Sequence, residues 1–168
     1  MDKEKWMLKA VEEAEQALKR GEVPVGCIFV HENTIIATGS NKVTETKNAT
    51  QHAEIVAIED IINTCHAKGL DSERIFKDTT LYVTVEPCIM CMAALRLVGI
   101  SSVVFGCHNE RFGGCGSVID VSSEHQLHNQ KPVETAGGVF GHKAIALLKE
   151  FYKGDNPNAP ESKKKQKT

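Results

Sequence analysis

The chain has 168 residues, 41% of them apolar, enough for one globular domain with a substantial core. No apolar run approaches the roughly 20 residues of a membrane span, and the charged opening Met1-Asp2-Lys3-Glu4-Lys5 is unlike a secretory signal. Six cysteines without secretory context suggest a reducing compartment, cytoplasm or nucleus, and the formal net charge of −2 excludes a strongly basic overall field.

In chain order, residues 4–19 carry Trp6, Met7, Ala10, Val11, Ala14 and Leu18 on one helical stripe, opposite an acidic face of Glu12, Glu13 and Glu15. Val23 to His31 reads as a buried strand, Glu32-Asn33 as a turn, and Thr34 to Thr38 as the returning hairpin partner. A helix is predicted from His52 to about Ala67. Asn48 and Thr50 offer capping side chains there, and Ile55, Val56, Ile58, Ile61 and Ile62 recur at helical intervals. Thr80–Val85 is a strand. Pro87 suits a helix start, and Ile89 to Val98, apolar except for Arg96, reads as a buried helix. Ser102–Gly106 is the next strand.

The stretch Gly113-Gly114-Cys115-Gly116-Ser117 lacks the Lys-Ser/Thr ending of a phosphate loop and does not join a strand to a helix, so it reads as a pocket-rim loop. Residues 122–138 are irregular, with a short strand near Val133. Val139–Lys153 forms the last helix, ended by Gly154 and Pro157. A hairpin followed by alternating strands and helices implies an α/β fold, with a mixed sheet covered by helices on both faces.

Two helix starts concentrate the chemistry. His52-Ala53-Glu54 opens one, and Pro87-Cys88-Ile89-Met90-Cys91 opens the other. One imidazole and two thiolates suit zinc. Structural zinc sites close on four protein ligands, whereas catalytic ones use three and keep a position for water. The sequence has no second Cys-x-x-Cys pair to close a ribbon. Cys88 and Cys91 share one face of a first helical turn, where the positive helix end favours thiolates. Glu54, two residues from His52, would diverge from it on a regular helix. At a frayed first turn both converge, and the carboxylate then meets the metal's water and not the metal. Cys27, Cys65, Cys107 and Cys115 sit at no ligand spacing and read as ordinary thiols. His31, His66, His108, His125, His128 and His142 likewise read as surface or loop residues.

His-x-Glu followed by Pro-Cys-x-x-Cys resembles the motif of the zinc-dependent nucleobase deaminases. Within them the chain is similar to the adenosine deaminases acting on tRNA. The likeness runs from about Trp6 to Pro160, and three stretches carry it: Glu22-Val23-Pro24-Val25-Gly26-Cys27, Asn48-Ala49-Thr50 before the His-x-Glu, and Leu81 to Cys88. Asn109 to Ser117 and Asn156-Pro157-Asn158-Ala159-Pro160 resemble the eukaryotic catalytic subunit more than the bacterial enzyme. That subunit pairs with a related, inactive partner lacking the catalytic glutamate, whereas Glu54 is present here.

The resemblance implies a cytidine deaminase-like, three-layer α/β/α fold with a mixed central sheet of about five strands, spanning residues 1–160. It implies one Zn2+ per chain on His52, Cys88 and Cys91, and hydrolytic conversion of the wobble adenosine of tRNA anticodons to inosine. In that scheme zinc acidifies a water and Glu54 takes its proton. C6 of the flipped-out adenine is attacked, and Glu54 delivers the proton to N1 and serves again as ammonia leaves. Asn41 would hydrogen-bond the purine, or else is a turn residue after a strand. Val25 packs on the base or simply fills the sheet. Ala53 and Asn109 join the substrate site, and Arg111 and Phe112 would touch RNA from the rim loop.

The tail from Glu161 holds Lys163, Lys164, Lys165 and Lys167 against one acid, a net +3, so the residues before it carry −5. Phosphate binding depends on cationic neutralisation. The basic, disordered tail at 161–168 and a partner's basic surface are therefore expected to grip the tRNA, the alternative being a solvated tail or a nuclear import signal. The expected assembly is a heterodimer with a related inactive deaminase-like subunit, or a homodimer in isolation, without a membrane. A deaminase of a free base or nucleotide, of the cytosine or guanine type, shares the zinc motif and is the rival enzyme. A zinc-stabilised scaffold is the non-enzyme alternative, against which Glu54 argues.

Overall fold

The computed structural model describes residues 3–124 and 131–154. The first helix, α1 (Lys3–Lys19), buries Trp6, Met7, Ala10, Val11, Ala14 and Ala17. Ala17 takes the place expected for Leu18, which is half-buried. The reason is close approach to the sheet. A Cβ added at Gly26 would lie 2.3 Å from both the Ala10 carbonyl oxygen and the Ala14 amide, so only small side chains fit along this seam.

Strand β1 (Gly26–His31) pairs antiparallel with β2 (Thr34–Ser40). Their turn residues Glu32 and Asn33 both have positive φ (47° and 59°), the twist that a two-residue hairpin requires. Strand β1 begins later than Val23, because Pro24 has no N–H and the Val25 amide bonds back to the Val23 carbonyl at 2.8 Å. Two short helices, α2 (Val43–Thr46) and α4 (Ser72–Lys77), escaped the periodicity reading, being too short to repeat. The Asp71 side chain caps α4 by accepting from the Glu73 and Arg74 amides.

Between them runs α3 (Ala53–Lys68), stopped by Gly69 at φ 64°. It buries Ala57, Ile58, Ile61 and Cys65, while Ile62 is exposed. The chain continues through β3 (Thr79–Val85), α5 (Ile89–Val98), β4 (Ser102–Cys107), β5 (Glu134–Ala136, just beyond Val133) and α6 (Gly141–Lys153).

The sheet order is β2-β1-β3-β4-β5, with β1 antiparallel to both neighbours and β3, β4 and β5 mutually parallel. Alternation along the strands divides the core in two. Cys27, Phe29, Leu81, Val83, Val103 and Phe105 face α3, α4 and α5. Ile28, Val30, Tyr82 and Val104 face α1 and the start of α6. The result is the expected three-layer α/β/α arrangement on a mixed five-stranded sheet. Among the described residues, no helix is long and apolar enough to cross a membrane. His125, His128, Asn156–Pro160 and the tail lysines Lys163, Lys164, Lys165 and Lys167 lie outside the described residues.

Candidate active site

Two helix N-termini meet at the site. His52 is the N-cap of α3 (φ −73°, ψ 162°) and Cys88 the N-cap of α5 (φ −66°, ψ 166°). Both ligands therefore sit on extended backbone just ahead of a helix, which lets His52 and Glu54 escape the divergence of a regular helix. Asn48 and Thr50 do not cap α3. The Asn48 Oδ1 accepts from the Thr50 amide (3.0 Å) and hydroxyl (2.8 Å), closing a local turn that delivers the chain to His52. Pro87 stands one residue before the cap of α5, not inside its first turn.

The ligating atoms of His52, Cys88 and Cys91 lie within 4.8 Å of one another, the one such group of three among the described residues. The His52 Nδ1 is 3.5 Å from the Cys88 Sγ and 3.6 Å from the Cys91 Sγ. Tetrahedral zinc, about 2.3 Å from sulfur and 2.0–2.1 Å from nitrogen, places such atoms about 3.6 Å apart. The spacing and the donor set both fit zinc, with Nδ1 as the ligating nitrogen.

Electrostatics favour a dication here. The Cys88 thiol is lowered to about 4 by the Cys91 thiol and then by His52, both hydrogen-bonded to it, while the Cys91 amide also donates to its sulfur. The hydrogen bond to Cys88 raises His52. Cys91 is pushed up, first by its hydrogen bond with Cys88 and then by burial. Two thiolates this close repel, and a divalent cation compensates both charges. Glu54 is buried beside the cluster but outside the ligand group, and burial pushes its carboxyl up to about 7.

A cavity of about 880 Å³ opens over this cluster. Val25, Asn41, Asn109, Arg111 and Phe112 all line it together with His52, Glu54 and Cys88. Ala53 does not. Its side chain is fully buried in the core under α3, which leaves only its backbone N–H, in the first helical turn, to offer a ligand. Asn41 directly follows β2 and is buried. Its Nδ2 donates to the Glu22 Oε2 at 2.9 Å, and the other Glu22 oxygen accepts from the Glu45 amide at 2.7 Å.

The rim loop is tied to the start of α5. The Ile89 amide donates to the Phe112 carbonyl and the Gly114 amide to the Pro87 carbonyl, each at 2.8 Å. At its tip the Arg111 guanidinium lies 5.5 Å from the centre of the exposed Phe112 ring. His108 and His142 also line the cavity, which ligand spacing alone does not reveal. Two buried carboxylates, Glu22 and Glu86, organise the surroundings, and both lie in stretches that carry the resemblance. Burial works against Glu86, yet hydrogen bonds from Ser117, Asn109 and Cys115 hold its carboxyl below the ordinary range.

Comparison with known proteins agrees with this site. Residues 1–107 match the family described as the cytidine and deoxycytidylate deaminase zinc-binding region. The tRNA-specific adenosine deaminase 2 of Danio rerio is 54% identical over 158 residues, covering 94% of this chain and 74% of that protein. A solved structure from work on A-to-I editing by tRNA:A34 deaminases at the wobble position of transfer RNA superposes with a TM-score of 0.75. It is 30% identical and is matched over 85% of this chain and 98% of that one. The guanine deaminase of Nitrosomonas europaea shares the fold alone, with a TM-score of 0.69 at 21% identity over 90% of this chain and 85% of that one. The chain belongs to the zinc-dependent cytidine and deoxycytidylate deaminase family, within its tRNA-specific adenosine deaminases.

Proposed function

We infer that this chain is the catalytic subunit of a tRNA adenosine deaminase that hydrolyses the wobble adenosine of anticodons to inosine. One observation carries the reading: a buried carboxylate, Glu54, stands beside a three-ligand His/Cys/Cys group under an open cavity. When bound, zinc on His52, Cys88 and Cys91 supplies Lewis acidity that brings the pKa of a water toward neutrality.

Glu54 accepts the proton released as the water oxygen adds to C6 of adenine, and donates it to N1. It then carries a second proton to the exocyclic nitrogen as the C6–N6 bond breaks. Water enters and ammonia leaves, so one carboxylate serves throughout, each donation following an acceptance. Asn41, held by Glu22, meets the base edge, and Val25 offers it an apolar wall. Asn109, Arg111 and Phe112 meet the RNA at the mouth, where an aromatic face and a guanidinium suit unstacked bases.

A flipped adenosine occupies a small part of the cavity, so flanking nucleotides have room as well. A free-base deaminase needs no such mouth. Its support here is the shared zinc motif, family and fold.

The active form is a heterodimer with a related inactive subunit. Residues 1–160 are acidic overall, so a partner and the lysine tail provide the phosphate grip. Exposed Ile62, Leu97 and Ile119 offer apolar surface for that partner. The deciding experiment incubates the chain, with and without a candidate partner, with tRNA bearing adenosine at the wobble position and scores inosine. Activity on free guanine or cytosine, with none on tRNA, would reverse the assignment.

A further inference from the structure

We propose that Glu86 is a positioning residue that anchors the rim loop and so sets how Asn109, Arg111 and Phe112 are presented to the RNA. Its side chain is fully buried at the end of β3, two residues before Cys88. The donors that reach its carboxylate come from residues 109–117. The Oε1 accepts from the Cys115 amide at 2.9 Å and the Ser117 amide at 3.1 Å. The Oε2 accepts from the Asn109 amide at 2.9 Å and from the Ser117 hydroxyl, with the His108 Nδ1 3.5 Å away. The loop is wrapped around one anion.

The fit extends to the backbone. A Cβ added at Gly113 would lie 2.5 Å from the Glu86 Oε1 and 2.6 Å from the Asn109 carbonyl oxygen, so a glycine is required for this closeness. The Asn109 carbonyl also accepts from the Gly113 amide at 2.8 Å, and the Asn109 Oδ1 from the Phe112 amide at 3.1 Å. Fixing the Asn109 amide therefore fixes the turn that carries Arg111 and Phe112 into the cavity wall.

The chemistry of the residue is specific. An ionised carboxylate only accepts, and here each oxygen faces two donors. Glutamine must set its NH2 against one of those pairs, whichever way it is turned. Aspartate is one methylene too short to reach.

The proposal rests on the tRNA reading above, and its test separates the two. Glu86→Gln, assayed as full chain with its partner subunit, is expected to keep one zinc per chain. Its KM for an anticodon stem-loop should rise at least tenfold, with kcat changed less than threefold. Amides 109–117 should exchange hydrogen faster than in the wild type, independently of turnover. Ser117→Ala, which removes a single donor, should give a smaller rise in KM and add nothing in the Glu86→Gln background. If Glu86→Gln does not fold, Ser117→Ala must still raise KM with zinc retained. An unchanged KM, or parallel loss of zinc, kcat and KM, overturns the proposal while leaving the deaminase assignment intact. A wild-type protein inactive on RNA overturns both.

Discussion

Glu22 holds the Asn41 side-chain amide through a buried hydrogen bond of 2.9 Å. The partners of both Glu22 oxygens are donors, Asn41 Nδ2 and the Glu45 amide, so this carboxylate leaves the Asn41 Oδ1 and one N–H for a ligand. Glu22→Ala leaves a buried amide without its acceptor, a cost of about 1–3 kcal/mol. Zinc content should be unchanged, while kcat/KM on tRNA falls by about tenfold or more. Retention of wild-type kcat/KM would show that Asn41 needs no such support.

Glu54→Gln separates metal binding from proton transfer. The variant should hold one zinc per chain, because the three ligands are untouched, and lose about 10²–10⁴ in turnover, the usual contribution of general acid–base catalysis. Metal analysis beside inosine scoring reads both. Turnover within tenfold of wild type would remove Glu54 from the proton path.

Cys88→Ala should lose the metal itself. Zinc binds the folded ligand set, so its binding free energy adds to stability. The same argument predicts that chelator lowers Tm in the wild type and leaves Cys88→Ala unaffected. Equal chelator sensitivity in both proteins would mean that the metal sits elsewhere.

Gly39→Ala tests the seam between sheet and site. The added Cβ would stand 2.1 Å from the Ala53 carbonyl oxygen and 3.0 Å from the Ala57 Cβ, pushing on the first turn of α3. Overpacking of this kind costs about 1–3 kcal/mol, so thermal denaturation should show Tm lowered by about 2–10 °C. An unchanged Tm would mean that α3 moves away freely.

Deleting residues 161–168 should weaken tRNA binding and flatten its salt dependence, by about 0.7–0.9 in log–log slope for each phosphate that the tail had neutralised. Binding measured across a salt series decides it. An identical slope would leave the tail without a part in RNA binding.

The layered fold and the metal triad were legible because periodicity and spacing are local signals. Residue-to-residue geometry across the fold was not. Glu86 and Glu22 are acids beside apolar runs, a pattern that more often marks a solvated strand end, and the donors of Glu86 lie 23 to 31 residues away. His108 and His142 reach the cavity only because β4 and α6 end beside it. Pro24 shortened β1 for a reason visible in the sequence. Helices α2 and α4 are too short for any periodic signal.

Because His52 and Cys88 both stand on the threshold of a helix, the coordination geometry is written where the chain enters α3 and α5 and not along their lengths. Connections far from those thresholds, such as the α3–α4 join at Gly69–Asp71, can lengthen or shorten without disturbing the metal. One residue inserted between Cys88 and Cys91 is another matter. It swings the second sulfur about 100° around the helix axis and breaks the site at a stroke.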